Sequence, residues 1–145
     1  MPQWVEAGVA EYKPRLPREW RFELVEIPVA RRGDNPDLAR LRQAEGEKML
    51  RAIPAGAEVI AFDERGETLG TLGWAKAVQG WQQHGRDVAL LVGGPDGLSP
   101  ECRARASRTW SLSKLTLPHG MVRVLVLEQL YRAWSVAAGH PYHRA

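Results

Sequence analysis

"SLSKLTLPHGMVRVLVLEQLYRAW", residues 111–134, joins a polar, proline-broken segment to the most apolar helical stretch of the chain. Pro118 stops any helix before it and favours a helix start after it. Helical spacing of apolar residues then runs from about Met121 to Ala138. With Arg123 set at zero and about 100° per residue, Leu127, Leu130, Tyr131 and Trp134 fall within about 80° of it. A guanidinium in the middle of an apolar arc, on the first turn, works against the helix dipole. It needs a compensating anion or several carbonyls, and an internal ion pair to Asp63 or Asp87 would supply one. Glu128, Gln129, Arg132 and Ser135 are expected on the opposite, solvated side. Leu125 and Val136 interrupt that side, which points to a second buried contact such as another subunit.

Outward from this helix the chain alternates strand and helix. "QWVEAGVAEY" (3–12) reads as an opening helix and "FELVEI" (22–27) as a short strand ending at Pro28. Asn35 is the expected N-cap, and Pro36 the first residue, of a helix reaching about Arg51, which Gly46 weakens. "EVIAF" (58–62) is a buried strand, and "DERGETLGT" (63–71) reads as a loop. Residues 72–84 form a helix with Trp74, Ala77, Val78 and Trp81 on one face. "VALLV" (88–92) is continuously apolar, as in a parallel sheet covered on both sides. "GGPDGLSP" (93–100) breaks it, with Ser99 as a cap and Pro100 opening a helix expected to end near Trp110. "WSLS" is short and extended. Helices between strands imply βαβ crossovers and an α/β layered fold, with four readable strands.

The chain has 145 residues, enough for a single domain with one real core. The N-terminus lacks the basic-then-apolar pattern of a secretory signal, and no apolar run is long enough for a membrane span. One cysteine, Cys102, without a CxxC or Cys/His cluster, fits a cytosolic setting and no structural zinc. Charge is uneven. Residues 99–145 carry seven basic and two acidic side chains, against ten and nine over residues 1–52 and three and six over residues 53–98. A local excess of cations favours a polyanion or a phosphate-bearing partner, unless it is simply a solvated face.

Three segments are candidates for chemistry. "VGGPDG" follows a strand and precedes a capped helix, where ligands bind in open α/β sheets, but it matches neither GxGxxG nor GxxxxGK[ST], and a plain turn has the same composition. "SLSKLTLPHG" alternates leucines with hydroxyls and Lys114. Such a peptide can wrap a flat aromatic ligand or serve as a buried crossover. "HPYHR" (140–144) concentrates groups suited to RNA contact or acid–base work. His140 and His143 lack a third ligand for a metal, so none is expected.

"DVALLVGGPDGLSPE", "WSLSKLTLPHGMVRVLVLEQLYRAWSVAAGHPYHR" and the N-terminal "WVEAGVAEY…LP…FELVEIP…RRGDN…EGEKML" together resemble the RlmH family, the bacterial 23S rRNA (pseudouridine-N3)-methyltransferases of the SPOUT superfamily. The resemblance runs nearly end to end. It implies one parallel-sheet α/β domain over residues 1–145, with a deep trefoil knot over about 87–138 and a tail at 139–145. It implies a cytoplasmic homodimer that takes S-adenosylmethionine and methylates ribosomal RNA in the assembled ribosome, with no membrane or DNA partner. Position by position, it assigns the cofactor to Phe62, Gly93, Leu112, Ser113, Lys114, Leu115, Thr116 and Leu117. It assigns the substrate side to Arg132, Tyr142, His143 and Arg144, with His143 the best general base by its ordinary pKa. His119 has equal claim to be a packed loop residue.

Two departures stand out. Family members begin with a further apolar strand ending in a "VG" turn, so the first strand is expected to be missing here. Gly120 stands where the family has glutamine or proline. A non-catalytic module of the same fold, inactivated by truncation, is the alternative reading, and a tRNA substrate within the superfamily is a third.

Overall fold

The computed structural model describes residues 1–28 and 37–144. Its chain divides into two compact units. One comprises Met1–Glu23, Thr68–Gly85 and Thr116–Ala145; the other comprises Leu24–Glu67 and Arg86–Leu115.

The first unit is helical. Helices α1 (Gln3–Tyr12), α3 (Thr71–His84) and α5 (His119–Ala138) carry its core. α5 packs against both α1 and α3. Val5, Val9, Trp74, Ala75, Val78, Val126, Leu127 and Leu130 are buried there. α3 keeps the expected face of Trp74 and Val78, with Ala75 added. α5 departs from expectation. Its predicted polar side is not solvated: Ala133 and Ser135 are fully buried, and Glu128 and Arg132 keep only 13% and 20% of their side-chain surface. Of the residues read as a second apolar contact, Leu125 and Val136 are half-buried. Gly120 fits this crossing. A Cβ there would lie 2.8 Å from Val5 Cγ2 and 3.4 Å from the Trp4 ring. Arg123 is half-buried in the first turn, and Asp63 is already engaged by Arg65.

The second unit holds a three-stranded sheet in the order β2-β1-β3, with β1 at Glu58–Thr68, β2 at Val88–Val92 and β3 at Arg108–Ser111. β1 and β2 are parallel, in register from Glu58↔Val88 to Phe62↔Val92. Val59 through Phe62 are all buried, so both faces of the central strand are covered. Helices α2 (Leu38–Ala52) and α4 (Pro100–Arg105) pack together. Met49, Leu50 and Ile53 lie against a core of Val59, Ala61, Leu91, Leu98 and Cys102.

Four expectations are corrected. Among the described residues "FELVEI" pairs with no strand and runs as irregular backbone, with Val25 half exposed. β1 runs on through Asp63–Thr68, expected as a loop, because β3 lies along it: a Cβ at Gly66 would meet the Thr109 carbonyl at 2.7 Å. α4 stops at Arg105 rather than near Trp110. Ser107 then donates from its backbone N–H (2.9 Å) and its hydroxyl (3.2 Å) to the Val59 carbonyl, drawing the chain onto β1. Finally, the α2 cap is Asp37, whose carboxylate accepts from the Arg40 N–H at 3.1 Å. Asn35 and Pro36 lie outside the described residues. Ser99 and Pro100 open α4 as expected, with Ser99 Oγ accepting from the Cys102 N–H at 3.2 Å.

Gly46 is a packing requirement rather than a weak spot of α2. A Cβ there would fall 2.3 Å from Ser99 Oγ, on the cap of α4. Gly46→Ala is therefore expected to destabilise the fold by about 1–3 kcal/mol despite the better helix propensity of alanine. Urea denaturation of the two proteins measures the difference.

Candidate functional site

The resemblance-assigned residues are divided between the two units. Phe62, Gly93 and Leu112–Leu115 belong to the second unit; Thr116 and Leu117 continue the segment in the first, with Arg132 and the tail.

In the second unit Phe62 is the organiser. It is the last residue in register with β2, opposite Val92, so Gly93 leaves the sheet beside it. On its other side its ring meets Trp110 edge-on at 6.2 Å, one residue before β3 ends. The Gly93 turn and the segment from Leu112 therefore depart from neighbouring strands flanking one buried phenylalanine. The Gly93–Gly97 turn folds back on itself. The Gly97 N–H donates to the Gly94 carbonyl at 3.0 Å, and Gly97 sits at φ 80°. A Cβ on Gly93 would lie 2.8 Å from the Gly97 carbonyl carbon and 2.9 Å from the Leu98 nitrogen. Only glycine permits so close a backbone approach. α2 supports the turn from beneath: Arg42 reaches the Asp96 carbonyl at 3.5 Å, and buried Glu45 lies near Gly94.

The third segment is shaped by serines. Ser111 Oγ donates to the Ser113 carbonyl (2.6 Å) and accepts from the Ser113 N–H (3.1 Å); Ser113 Oγ accepts from the Leu115 N–H (3.0 Å). These local turns hold Leu112 and Ser113 half-buried and leave Lys114, Leu115 and Thr116 exposed. Leu115 is 70% exposed, an apolar side chain on a tightly shaped loop. Beside this group, Arg65 grips Asp63 through its backbone N–H and guanidinium, holding that carboxyl below its ordinary range.

In the first unit the centre is Glu128, which the sequence reading placed on a solvated face. Its Oε1 accepts from Arg132 Nε (2.9 Å), Arg132 Nη2 (2.5 Å) and the Tyr142 hydroxyl (3.1 Å), and its Oε2 from Gln129 (2.6 Å). The Arg132 guanidinium also lies over the Tyr142 ring at 5.1 Å. Tyr142 reaches the Tyr12 hydroxyl at 3.1 Å. Burial, then the Tyr12 hydrogen bond and the Glu128 charge, raise the Tyr142 phenol above its ordinary value. Arg132, hydrogen-bonded to Glu128, is raised likewise.

The tail is ordered as a 3-10 turn, Pro141–Arg144, after Gly139 (φ 70°) ends α5. Tyr131 stacks on Trp134 at 5.6 Å and meets Tyr142 at 4.6 Å, while His140 tilts against Tyr131 and Trp134. His143 Nδ1 is 3.2 Å from Ser135 Oγ. The Ser135 hydroxyl has one proton, spent on the Arg132 carbonyl at 2.7 Å. Ser135 therefore accepts from Nδ1–H, and the neutral ring carries its lone pair on Nε2. Arg132, Tyr142 and His143 thus come together on one helix end. Arg144 closes the turn.

Glu128, Tyr12 and Ser135 were missed by the sequence reading. The Glu128–Arg132 spacing of four was a usable signal. Tyr12, 130 positions from Tyr142, gave none.

A glycine turn at a strand end in the second unit and a cation–phenol–imidazole cluster in the first are the two arrangements that the chain presents. The whole chain, residues 1–143, matches a family model described as "Predicted SPOUT methyltransferase", and the chain belongs to that family. It is 54% identical over 144 residues to Ribosomal RNA large subunit methyltransferase H of Thioalkalivibrio sulfidiphilus (strain HL-EbGR7), covering 99% of this chain and 92% of that protein.

Because the carboxylate and the phenol support each other, Glu128→Gln is expected to bring the Tyr142 ionisation down toward its ordinary value near about 10 and to cost about 1–3 kcal/mol of stability. With the native pKa raised, the contribution of Tyr142 is complete below that ordinary value and is lost as pH climbs through the native one. Spectrophotometric phenol titration of both proteins, with Tyr142→Phe to assign the step, reads the change.

Proposed function

We propose that this chain is an S-adenosylmethionine-dependent methyltransferase that modifies N3 of a pseudouridine in large-subunit ribosomal RNA, working as a cytoplasmic homodimer. The observation that carries the reading is the Glu128-centred network, which presents a fixed cation, a neutral phenol and an imidazole of defined tautomer together. The relative from Thioalkalivibrio supports the RNA class.

The Gly93–Gly97 turn at the end of β2 offers backbone groups for a nucleoside to lie against. Phe62, Gly93 and the segment Leu112–Leu117 would hold the cofactor, with leucine side chains against its flat parts and backbone groups on its edges. Bound there, S-adenosylmethionine supplies an electrophilic methyl group. The last third of the chain, about 87–138, is read as the trefoil knot that shapes this peptide, and a second copy as what completes the pocket.

The target base must lose its N3 proton before or as the nitrogen is alkylated. His143 Nε2 is the acceptor for that proton, since Nδ1–H is committed to Ser135. Arg132 stabilises the negative charge left on the base, and Glu128 keeps the guanidinium from wandering to solvent. Tyr142, held protonated through neutral pH, remains a hydrogen-bond donor. Arg144 adds a further cation. The rest of the rate comes from holding the two reactants in line.

Purified protein is expected to transfer labelled methyl to ribosomes and not to tRNA. Tyr142→Phe combined with His143→Ala should lower that rate by at least about a hundredfold, the usual size of an acid–base contribution, while calorimetry shows cofactor binding unchanged. Full activity in that double variant removes the tail from the mechanism. Calorimetric silence toward cofactor from folded wild type removes the enzyme reading.

A further inference from the structure

The segment directly after α1, "KPRLPREWR" (13–21), has no role in the chemistry above. It contains Lys13, Arg15, Arg18 and Arg21 against a single acid, Glu19. All four cations are exposed. The backbone beneath them is unusually constrained. Two 3-10 turns, Lys13–Arg15 and Arg18–Trp20, alternate with Pro14 and Pro17, and buried Leu16 pins the middle. The segment closes on Arg21 in the left-handed conformation, at φ 50°, which non-glycine residues rarely adopt. Solvated cations need none of this order. A rigid row of them pays little entropy when it meets a row of anions.

Its position says which anions. The segment starts at the Tyr142 network: Tyr12 shares a hydrogen bond with Tyr142, and the Arg15 guanidinium lies 5.0 Å from the Tyr12 ring centre and 5.5 Å from that of Tyr131, while also pairing with Glu11. Arg15 therefore belongs to the site. Lys13, Arg18 and Arg21 are exposed cations of the same short segment and the same unit. A base delivered to Tyr142 and His143 brings its own phosphates with it, and these are the nearest polyanion to such a row.

We infer that Lys13, Arg18 and Arg21 form a phosphate-backbone contact for the RNA strand flanking the target base. The inference rests on the ribosomal RNA reading and adds to it the surface that grips the strand. Contacts of this kind position the substrate without reading sequence, and each releases counterions.

The test is a triple variant, Lys13→Gln, Arg18→Gln and Arg21→Asn, asparagine being chosen because it tolerates the left-handed backbone. Methyl transfer to ribosomes is measured from about 50 to 200 mM salt, with melting temperature as the folding control. The KM for ribosomes should rise about tenfold or more at the low-salt end, and the slope of log KM against log salt should flatten by about 2–3, near 0.7–0.9 per lost contact. Maximal rate at saturation and cofactor affinity should stay within about twofold, because phosphate contacts made equally in ground and transition states change KM alone. Glu19→Gln should lower KM. A folded triple variant with unchanged KM and salt slope overturns the proposal. Filter retention of ribosomal RNA is run in parallel. If wild type binds RNA but transfers no methyl, the enzyme reading fails, and the surface still stands or falls on whether the triple variant loses retention. If wild type retains no RNA, both are overturned.

Discussion

A carboxylate taken most of the way out of water must be met by donors, and the end of α5 is built around that demand. Glu128 keeps 13% of its side-chain surface. It is answered by Arg132, Gln129 and Tyr142, and Tyr142 is tied in turn to Tyr12. An unanswered charge at that depth would cost several kcal/mol, on the order of 3–5 for a buried pair broken on one side. The cluster therefore forms together or not at all. That is why a chain end, ordinarily free to fray, is held here as a 3-10 turn against an aromatic layer of Tyr131, Trp134 and His140. The same need places a fixed cation and a protonated phenol on the helix end that also carries His143.

The second unit solves a different problem, that of bringing segments of backbone close together at the end of a sheet. Its devices are steric rather than electrostatic. Phe62 ends the register with β2 and meets Trp110, so two segments leave the sheet around one ring. Gly93 lets its turn close back on Gly97 and Leu98, and three serine-backed hydrogen bonds shape the segment from Ser111 to Leu115.

Much of the fold is legible in local pattern. The opening helix Gln3–Tyr12 and the strand Val88–Val92 have their observed bounds in the sequence, and Ser99–Pro100 announces α4. Periodicity and cap chemistry act over a few residues, and so they can be read over a few residues. The errors cluster where a distant partner decides. "FELVEI" has strand composition but pairs with no strand among the described residues; Asp63–Thr68 has loop composition but β3 beside it; Arg108 and Thr109 leave α4 because the Val59 carbonyl takes Ser107. Gly46 reads as a flaw in α2 until Ser99 is seen against it.

The amino-acid order by itself determined the α/β class, most helix positions and the family, whose long C-terminal motif also named Arg132, Tyr142 and His143. Tertiary structure alone decided that the polar side of α5 is interior, that Glu128 and Tyr12 belong with those residues, and that Ser135 sets the His143 tautomer. The division has a physical cause. Helix propensity, capping and apolar spacing are properties of neighbours in the chain, whereas burial and hydrogen-bond partnership are properties of neighbours in space, which here stand as far as 130 residues apart.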